Sequence, residues 1–367
     1  MPGAFRGFVK ACSTVSTTIK EVARKAGVSI ATVSRVLNNV GAVDERTRVL
    51  VSKAVVDLRY VPNPIGRGLS RQKTEAIGLL LPDLFGEFFS EVIRGADQTA
   101  QLNRHHLVVS SSHNNREEIA AAVRMMLGRV DGLVIMSPHI DAHTLRENIP
   151  QHLPVILINA RVEGDDYDSL NVDNFAGSTA MVQHLLSHGH RRIALIKGSE
   201  DNLDALERLR GYRHALTAGG GDRRPEYEIA GNFTEASGYD AVRKILQLEP
   251  RPTAIFACND TTAIGAMSAL REAGVRVPDE VAVAGFDDIP ISSYLTPSLS
   301  TVHVSINRVG VLAVETLLRA LGKRNTHRKE HRMIPTSLAL RESCGCHESS
   351  LPASVSSLQS PDVIPVV

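Results

Sequence analysis

Apolar positions recur along this chain with two different periods. Between residues 18 and 58 they fall at helical spacing. Ile19, Val22, Ala23 and Ala26 share one helix face, and Thr18 with Glu21 makes a capping box that starts the helix. Gly27 ends it, as the residue that enters the left-handed region at least cost. Ser29 caps a second helix running from Ile30 to about Leu37. Its Val33, Val36 and Leu37 face inward, while Ile30, Ala31, Ser34 and Arg35 face out. Asp44 caps a third helix over 45–58 with Leu50, Ala54 and Leu58 as its buried set. Helix, short glycine-containing turn and helix predict a helix-turn-helix.

From about residue 74 short apolar runs alternate with helical stretches. Runs at 77–81, 107–110, 132–136, 155–158, 193–196, 254–257 and 281–285 read as buried strands. Helical segments at 89–103, 117–128, 176–188, 208–218, 238–247 and 262–273 lie between them. Such alternation predicts parallel sheets covered on both faces. It occurs twice, before and after about residue 172, so two similar lobes with a cleft are the economical architecture. Ligands of such sheets gather at the carboxyl ends of the strands.

Charge sharpens the division. The 367 residues carry a formal net charge of only +1. Through Lys73, however, 13 Lys+Arg stand against 4 Asp+Glu, and beyond it 28 stand against 36. A basic head on an acidic body predicts a polyanion partner for the head, most simply nucleic acid. Arg24, Lys25, Arg35, Arg46, Arg48 and Lys53 are its candidate phosphate contacts. No apolar stretch approaches the ~18 residues of a membrane span. Arg6 and Lys10 interrupt any signal-peptide core, and four cysteines form no disulfide framework, so a cytoplasmic location without membrane contact is expected.

The run TIKEVARKAGVSIATVSRVLNN, followed by VDERTR and YVPNPIGRGL, closely resembles the DNA-binding head of the lactose/galactose-repressor (LacI/GalR) family. The similarity continues to about residue 345 through PDLFGEFFSEVIRG, RVDGLVIMSP, PTAIFACNDTTAIGAM and VPDEVAVAGFDDIPISSYLTPSLSTV. It implies an α/β protein in which an all-α helix-turn-helix head is joined by a hinge to a two-lobed, periplasmic-binding-protein-like body of parallel sheets. The expected boundaries are a disordered extension at 1–16, the head at 17–62, a hinge helix at 63–73, the body at 74–345 and a disordered tail at 346–367. Within the body, lobe 1 is expected at 74–172 and 302–328, and lobe 2 at 173–301 and 329–345.

By that resemblance the DNA-contacting set is Thr18, Ser29, Ile30, Ala31, Thr32, Ser34, Arg35, Asn38, Asn63 and Leu69. Arg35 is the best physical candidate for base readout, since a guanidinium grips guanine O6 and N7 together. A plain phosphate contact is its other reading. Ile30 and Ala31 suit thymine methyl groups. Leu69 matches a leucine that wedges into the minor groove and kinks the duplex. Gly66 and Gly68 replace the usual alanines and each costs about 0.8–1 kcal/mol in a helix, which favours coil without DNA. The alternative is a flexible linker with Leu69 idle. A head that reads one half-site of a palindrome implies a homodimer.

The resemblance also implies an effector set: Phe88, Phe89, Arg161, Arg208, Asn259, Asp260 and Asp287. A planar Arg and a carboxylate suit vicinal hydroxyls through charge-assisted hydrogen bonds, so a sugar or sugar phosphate is the first choice of effector. A purine-like corepressor or a phosphocarrier protein is the alternative. Each residue has a plainer role: Phe88 and Phe89 as core, Arg208 paired with Glu207 or Asp204, Asn259 shaping a turn, Asp287 capping a helix. After the run ending at Ile158, many relatives place an acidic residue and then an arginine. Here Asn159 and Ala160 stand there, with Arg161 one residue later.

The expected function is a sequence-specific transcription regulator, of the repressor type, binding operator DNA and controlled by a small molecule. No nucleophile, base and orienting partner assemble from the sequence, so it is read as a non-enzyme without cofactor. A solute-binding protein for uptake would leave the basic head unexplained. Cys344-Gly345-Cys346-His347 clusters three ligand types, but without a second pair it is poor evidence for a metal. His188 and His190 read as helix-end cations.

Overall fold

The computed structural model describes residues 17–38, 40–60, 73–113, 115–137, 140, 142–160, 166–322 and 326–346. The expectations for 1–16, Asn63, Leu69, Arg161 and the tail beyond 346 therefore lie outside the described residues, as does the side chain of Asn38. The chain divides into two compact units, Met1–Thr74 and Glu75–Val367.

The first unit contains α1 (Ile19–Ala26), α2 (Ile30–Asn38) and α3 (Glu45–Asp57). The caps are where the side-chain chemistry puts them. The Thr18 N–H donates to Glu21 Oε2 at 2.7 Å, the Thr32 N–H to Ser29 Oγ at 3.1 Å, and the Thr47 N–H to Asp44 Oδ1 at 2.9 Å. Gly27 takes φ 68°, the left-handed value that lets the chain leave α1. Val22, Ala23, Ala26, Val33, Val36, Val51 and Ala54 form the buried cluster. One expectation is corrected here. Leu50 is 46% exposed, and its neighbour Val51 is buried in its place. The inward face of α3 runs 51, 54, 55, 58: Ala54 and Leu58 hold their expected places, and Val51 takes that of Leu50.

The second unit holds two six-stranded sheets. The first has the order β11-β5-β4-β3-β1-β2 and all its pairs are parallel. Its strands are β1 (Ala76–Leu81), β2 (His106–Ser111), β3 (Gly132–Met136), β4 (Val155–Ile158), β5 (Asp168–Val172) and β11 (His331–Ile334). The second has the order β12-β10-β9-β8-β6-β7. It comprises β6 (Ile193–Ile196), β7 (Glu228–Ile229), β8 (Ala254–Ala257), β9 (Ala282–Asp287), β10 (Ser300–His303) and β12 (Ser337–Ala339). Only the β10–β12 pair is antiparallel among these. Strands β1, β3, β4, β6, β8 and β9 are buried along their whole length, as unbroken apolar runs require when helices cover both faces.

Helices α4 (Glu87–Leu102), α5 (Arg116–Met126), α6 (Ala142–Asn148) and α11 (Ile306–Gly322) accompany the first sheet. The second is accompanied by α7 (Asn174–Ser187), α8 (Leu203–Gly219), α9 (Glu235–Ile245) and α10 (Asp260–Glu272). Helices α4 and α11 meet backbone to backbone. A Cβ on Gly95 would stand 2.1 Å from the Asn307 carbonyl oxygen, and one on Gly310 2.1 Å from that of Val92.

The chain passes between the sheets after β5, after β10 and after β11. Since β11 pairs with β5, the last passage falls at 335–336, and residues 331–334 belong with the first sheet. This corrects the boundary expected near Lys329. The segment leading into β11 is held by buried Asp168, which contacts His327 Nε2 at 2.8 Å and accepts from Lys329 Nζ at 3.3 Å and the Glu330 N–H at 3.0 Å. A second correction concerns Cys346, expected in the disordered tail and here buried at 6% exposure.

Candidate functional sites

In the first unit the face of α2 turned away from the buried cluster carries the expected contact residues. Ile30 is 45% exposed, Ala31 and Arg35 are exposed, and Thr32 and Ser34 are half-buried. Thr18 and Ser29 spend their polar atoms on caps, and the Ser29 and Thr32 hydroxyls lie 2.9 Å apart. Lys25 is bound to Asp57 at 3.1 Å and Arg48 to Glu45 at 3.7 Å. Arg24, Arg35, Arg46 and Lys53 are exposed.

In the second unit Arg208, on α8 and only 4% exposed, is the centre of a buried polar network. Its Nε donates to Asn174 Oδ1 at 2.7 Å, Nη1 to the Cys258 carbonyl, and Nη2 to Asp287 Oδ1 at 3.0 Å. Its guanidinium carbon sits 3.7 Å from the centre of the Phe286 ring, a stacking that fixes the plane. Asn174 passes the network to Asp204 Oδ1 at 2.8 Å, and Asn159 Nδ2 reaches Asp204 Oδ2 at 2.9 Å. Asn159 follows β4 in the first sheet while Asp204 opens α8 beside the second, so this chain of hydrogen bonds joins the two lobes. A second link joins them where the Ile291 N–H donates to Glu87 Oε2 at 2.9 Å.

Asp287 ends β9 at φ 111°, a value few non-glycine residues adopt. Burial pushes its carboxyl up to about 6, opposed by Arg208 and reinforced by Asp204. Asp204 is likewise raised by burial against the pull of Arg208. The buried ion pair and strained backbone stand at the carboxyl end of a strand, where open α/β sheets hold ligands. Two of the five guanidinium N–H groups and the second Asp287 oxygen are not used by the bonds just described.

The remaining expected residues divide. Phe88 and Phe89, at the start of α4, are half-buried with rings 5.4 Å apart and edge-on. Asn259 caps α10 by accepting from the Thr262 N–H at 3.0 Å and donates to the Phe233 carbonyl at 3.1 Å, so both ends of its amide shape the turn. Asp260 is corrected. At 0% exposure it accepts from the Ile289 N–H at 2.9 Å, Ser292 Oγ at 2.8 Å and Thr301 Oγ1, which pins β10 and the 290–294 turn. Burial, with the Asp287 charge added, pushes its carboxyl up to about 8. Asp288, next to Asp287, meets His303 Nδ1 at 2.7 Å and Arg341 Nη2 at 2.7 Å, a structural pair.

Asn174 is the member of the network that the sequence does not single out. Asp204, expected at most as a direct partner of Arg208, meets it through Asn174 instead, while the carboxylate paired with Arg208 is Asp287.

Residues 18–63 match the family described as bacterial regulatory proteins, lacI family, and residues 182–344 match the periplasmic binding protein-like domain. The HTH-type transcriptional repressor PurR of Vibrio atlanticus (strain LGP32) is 35% identical over 321 residues, which cover 87% of this chain and 96% of that protein. Two solved structures each cover 89% of this chain, with 99% of their own length aligned. The Lac repressor dimer bound to operator and the anti-inducer ONPF superposes with a TM-score of 0.77 at 29% identity. The transcriptional regulator CelR–cellobiose complex superposes at 0.67 with 30% identity. Among the described residues no helix is long and apolar enough to cross a membrane. With a helix-turn-helix at one end, two doubly wound sheets after it and relatives aligned over nearly their full length, the chain is a transcriptional regulator that belongs to the lacI family of bacterial regulatory proteins.

Proposed function

We propose that this regulator works as a homodimer on palindromic operator DNA and is released or retained by a small polyhydroxylated effector, a sugar or sugar phosphate. The head reads bases through Ile30, Ala31 and Arg35 on the exposed face of α2. Thr18, Ser29, Thr32, Ser34, Asn38 and Asn63 position it on the backbone, and Leu69 enters the minor groove. The effector binds between the lobes, where Arg208 and Asp287 address its hydroxyls and Phe88 or Phe89 covers a sugar face, with Arg161 reaching the same site.

The observation that carries this reading is the buried Arg208–Asp287 pair at the end of β9, tied through Asn174, Asp204 and Asn159 to the other lobe. A carboxylate and a guanidinium held side by side offer an acceptor and donors at the spacing of vicinal hydroxyls. A ligand inserted there changes the bonds that join the lobes, and it controls DNA only through its difference in affinity for the two states. The similar CelR is complexed with cellobiose, which supports the sugar class.

The test is a dye-reported thermal-shift screen of the full chain against sugars, sugar phosphates, nucleosides and purine bases. A ligand at ~100 times its Kd adds about 2.7 kcal/mol, a shift of a few degrees. The proposal expects a sugar-class shift that vanishes in Asp287→Asn. A shift with purines alone moves the effector to the corepressor class.

A further inference from the structure

The cysteines at the end of the body lack a second pair of ligands in the sequence, and the fold supplies it. Helix α7 carries His184, with His188 as its C-cap, four residues apart and so on one face. The turn Glu342–Cys344 and Gly345, at φ 85°, fold Cys344 and Cys346 back against that face. Cys344 Sγ lies 3.4 Å from His184 Nε2 and 3.2 Å from Cys346 Sγ. Cys346 Sγ in turn lies 3.4 Å from His184 Nε2 and 3.7 Å from His188 Nε2. Both thiols are buried, His184 is half-buried and His188 is exposed, which leaves a route from solvent.

We propose that His184, His188, Cys344 and Cys346 bind one zinc ion, or another thiophilic divalent cation, as a site tying α7 to the end of the body. Two thiolates and two imidazoles are the donor set of Cys2His2 zinc. With Zn–S of about 2.3 Å and Zn–N of about 2.0–2.1 Å, a tetrahedral ion places sulfur and nitrogen about 3.5 Å apart and its two sulfurs about 3.8 Å apart. Three of the four S–N separations, 3.4, 3.4 and 3.7 Å, match the first figure, and His184, Cys344 and Cys346 already lie within 4.8 Å of one another, so it is the exposed His188 that closes in to complete the set. The sulfurs, at 3.2 Å, have to part by roughly 0.6 Å to match the second.

The cysteine spacing is one residue shorter than the C-x2–4-C of zinc fingers. Gly345 in the left-handed region makes the short spacing workable by turning both sulfurs to one side. Ser300 Oγ stands 3.0 Å from Cys344 Sγ, placed to hydrogen-bond a thiolate as the outer partners of metal ligands do. Packing alone accounts for two buried thiols, but it does not require two imidazole Nε2 atoms to converge on them. The bound ion would hold the end of α7 opposite Asn174, the residue that orients Arg208.

The test is a cobalt titration of the full chain, reduced, chelator-stripped and kept anaerobic. The proposal expects saturation at one Co2+ per chain, the intense visible bands of tetrahedral cobalt, a near-ultraviolet thiolate charge-transfer band, and displacement by Zn2+. His188→Ala changes an exposed side chain, so folding is not at stake. It should keep the thiolate band, alter the visible envelope and weaken binding on the order of tenfold or more. Cys346→Ser, checked for folding by circular dichroism, should lose about half of the charge-transfer intensity. Absence of the thiolate band in the wild type overturns the proposal. So do variants that bind cobalt as the wild type does.

Discussion

The head and the body place their candidate functional residues on opposite sides of the same boundary. Among the described residues of the head none that is fully buried is larger than valine, and Ile30 and Arg35 stand in solvent. In the body Tyr212, Tyr227, Phe256 and Phe286 are fully buried, and Arg208 and Asp287 lie among them at 4% and 5% exposure. The difference separates two kinds of site. A reading face on the outside of α2 can change without touching the fold, whereas a recognition pair inside the body also carries stability. Substitutions on that face of α2 should therefore act on binding alone, and those in the Arg208–Asp287 pair on binding and stability together.

The largest contrast comes from breaking the buried pair. Arg208→Met leaves the Asp287 carboxylate buried without its partner, and denaturant unfolding should show a loss of about 3–5 kcal/mol at neutral pH. Replacing both partners, as Arg208→Met with Asp287→Leu, should recover much of it. A single variant as stable as the wild type would show that the pair carries no stability.

A titration sharpens the same point. The Asp287 carboxyl, held at about 6, takes up a proton more readily in the folded protein than at the ordinary value near 3.9 of the unfolded chain. Its favourable contribution is complete below pH ~4 and is lost as pH rises through ~6, a change of about 2–3 kcal/mol. The difference in unfolding free energy between the wild type and Asp287→Asn should therefore shift in favour of the wild type on acidification. Sugar-class binding should weaken over the same range, because the acceptor becomes neutral. A difference flat from pH 7 to 4 would place the Asp287 pKa at an ordinary value.

The smallest effect tests the phase of α3. Val51→Ala should cost about 2 kcal/mol, while Leu50→Ala stays within about 0.5 kcal/mol, read from thermal or denaturant unfolding of the head. The reverse order would restore the inward face expected from Leu50.

What was legible in the sequence follows from how locally each feature is encoded. The caps of the head, at Thr18, Ser29 and Asp44, lie within three residues of what they cap. Strands β3, β4, β6 and β8 are unbroken apolar runs and match the expected bounds. Strand β5, DSLNV, and strands β10 to β12 carry polar residues such as Asp168, Ser169, Ser300 and His331, and become strands through partners distant in sequence. Helix α11 was legible from Ile306, Val309, Gly310, Ala313, Val314 and Leu317 at helical spacing, and the reading passed over it. The network around Arg208 gathers residues from 159 to 287, which no window of the sequence brings together. Asp260 shows the converse. Its neighbour Asn259 caps α10 in the turn after β8, as expected, but the side chain of Asp260 turns to β10 and the 290–294 turn, a direction that spacing does not encode.

The central claim, a head that reads sequence through the exposed face of α2, is tested most directly by selecting binding sites for the full chain from randomised duplexes. The account predicts enrichment of a palindrome, with Arg35→Ala relaxing preference at one base pair in each half-site by about 1–3 kcal/mol. A selection that enriches no motif, or an Arg35→Ala chain that loses affinity equally for every duplex, would contradict it.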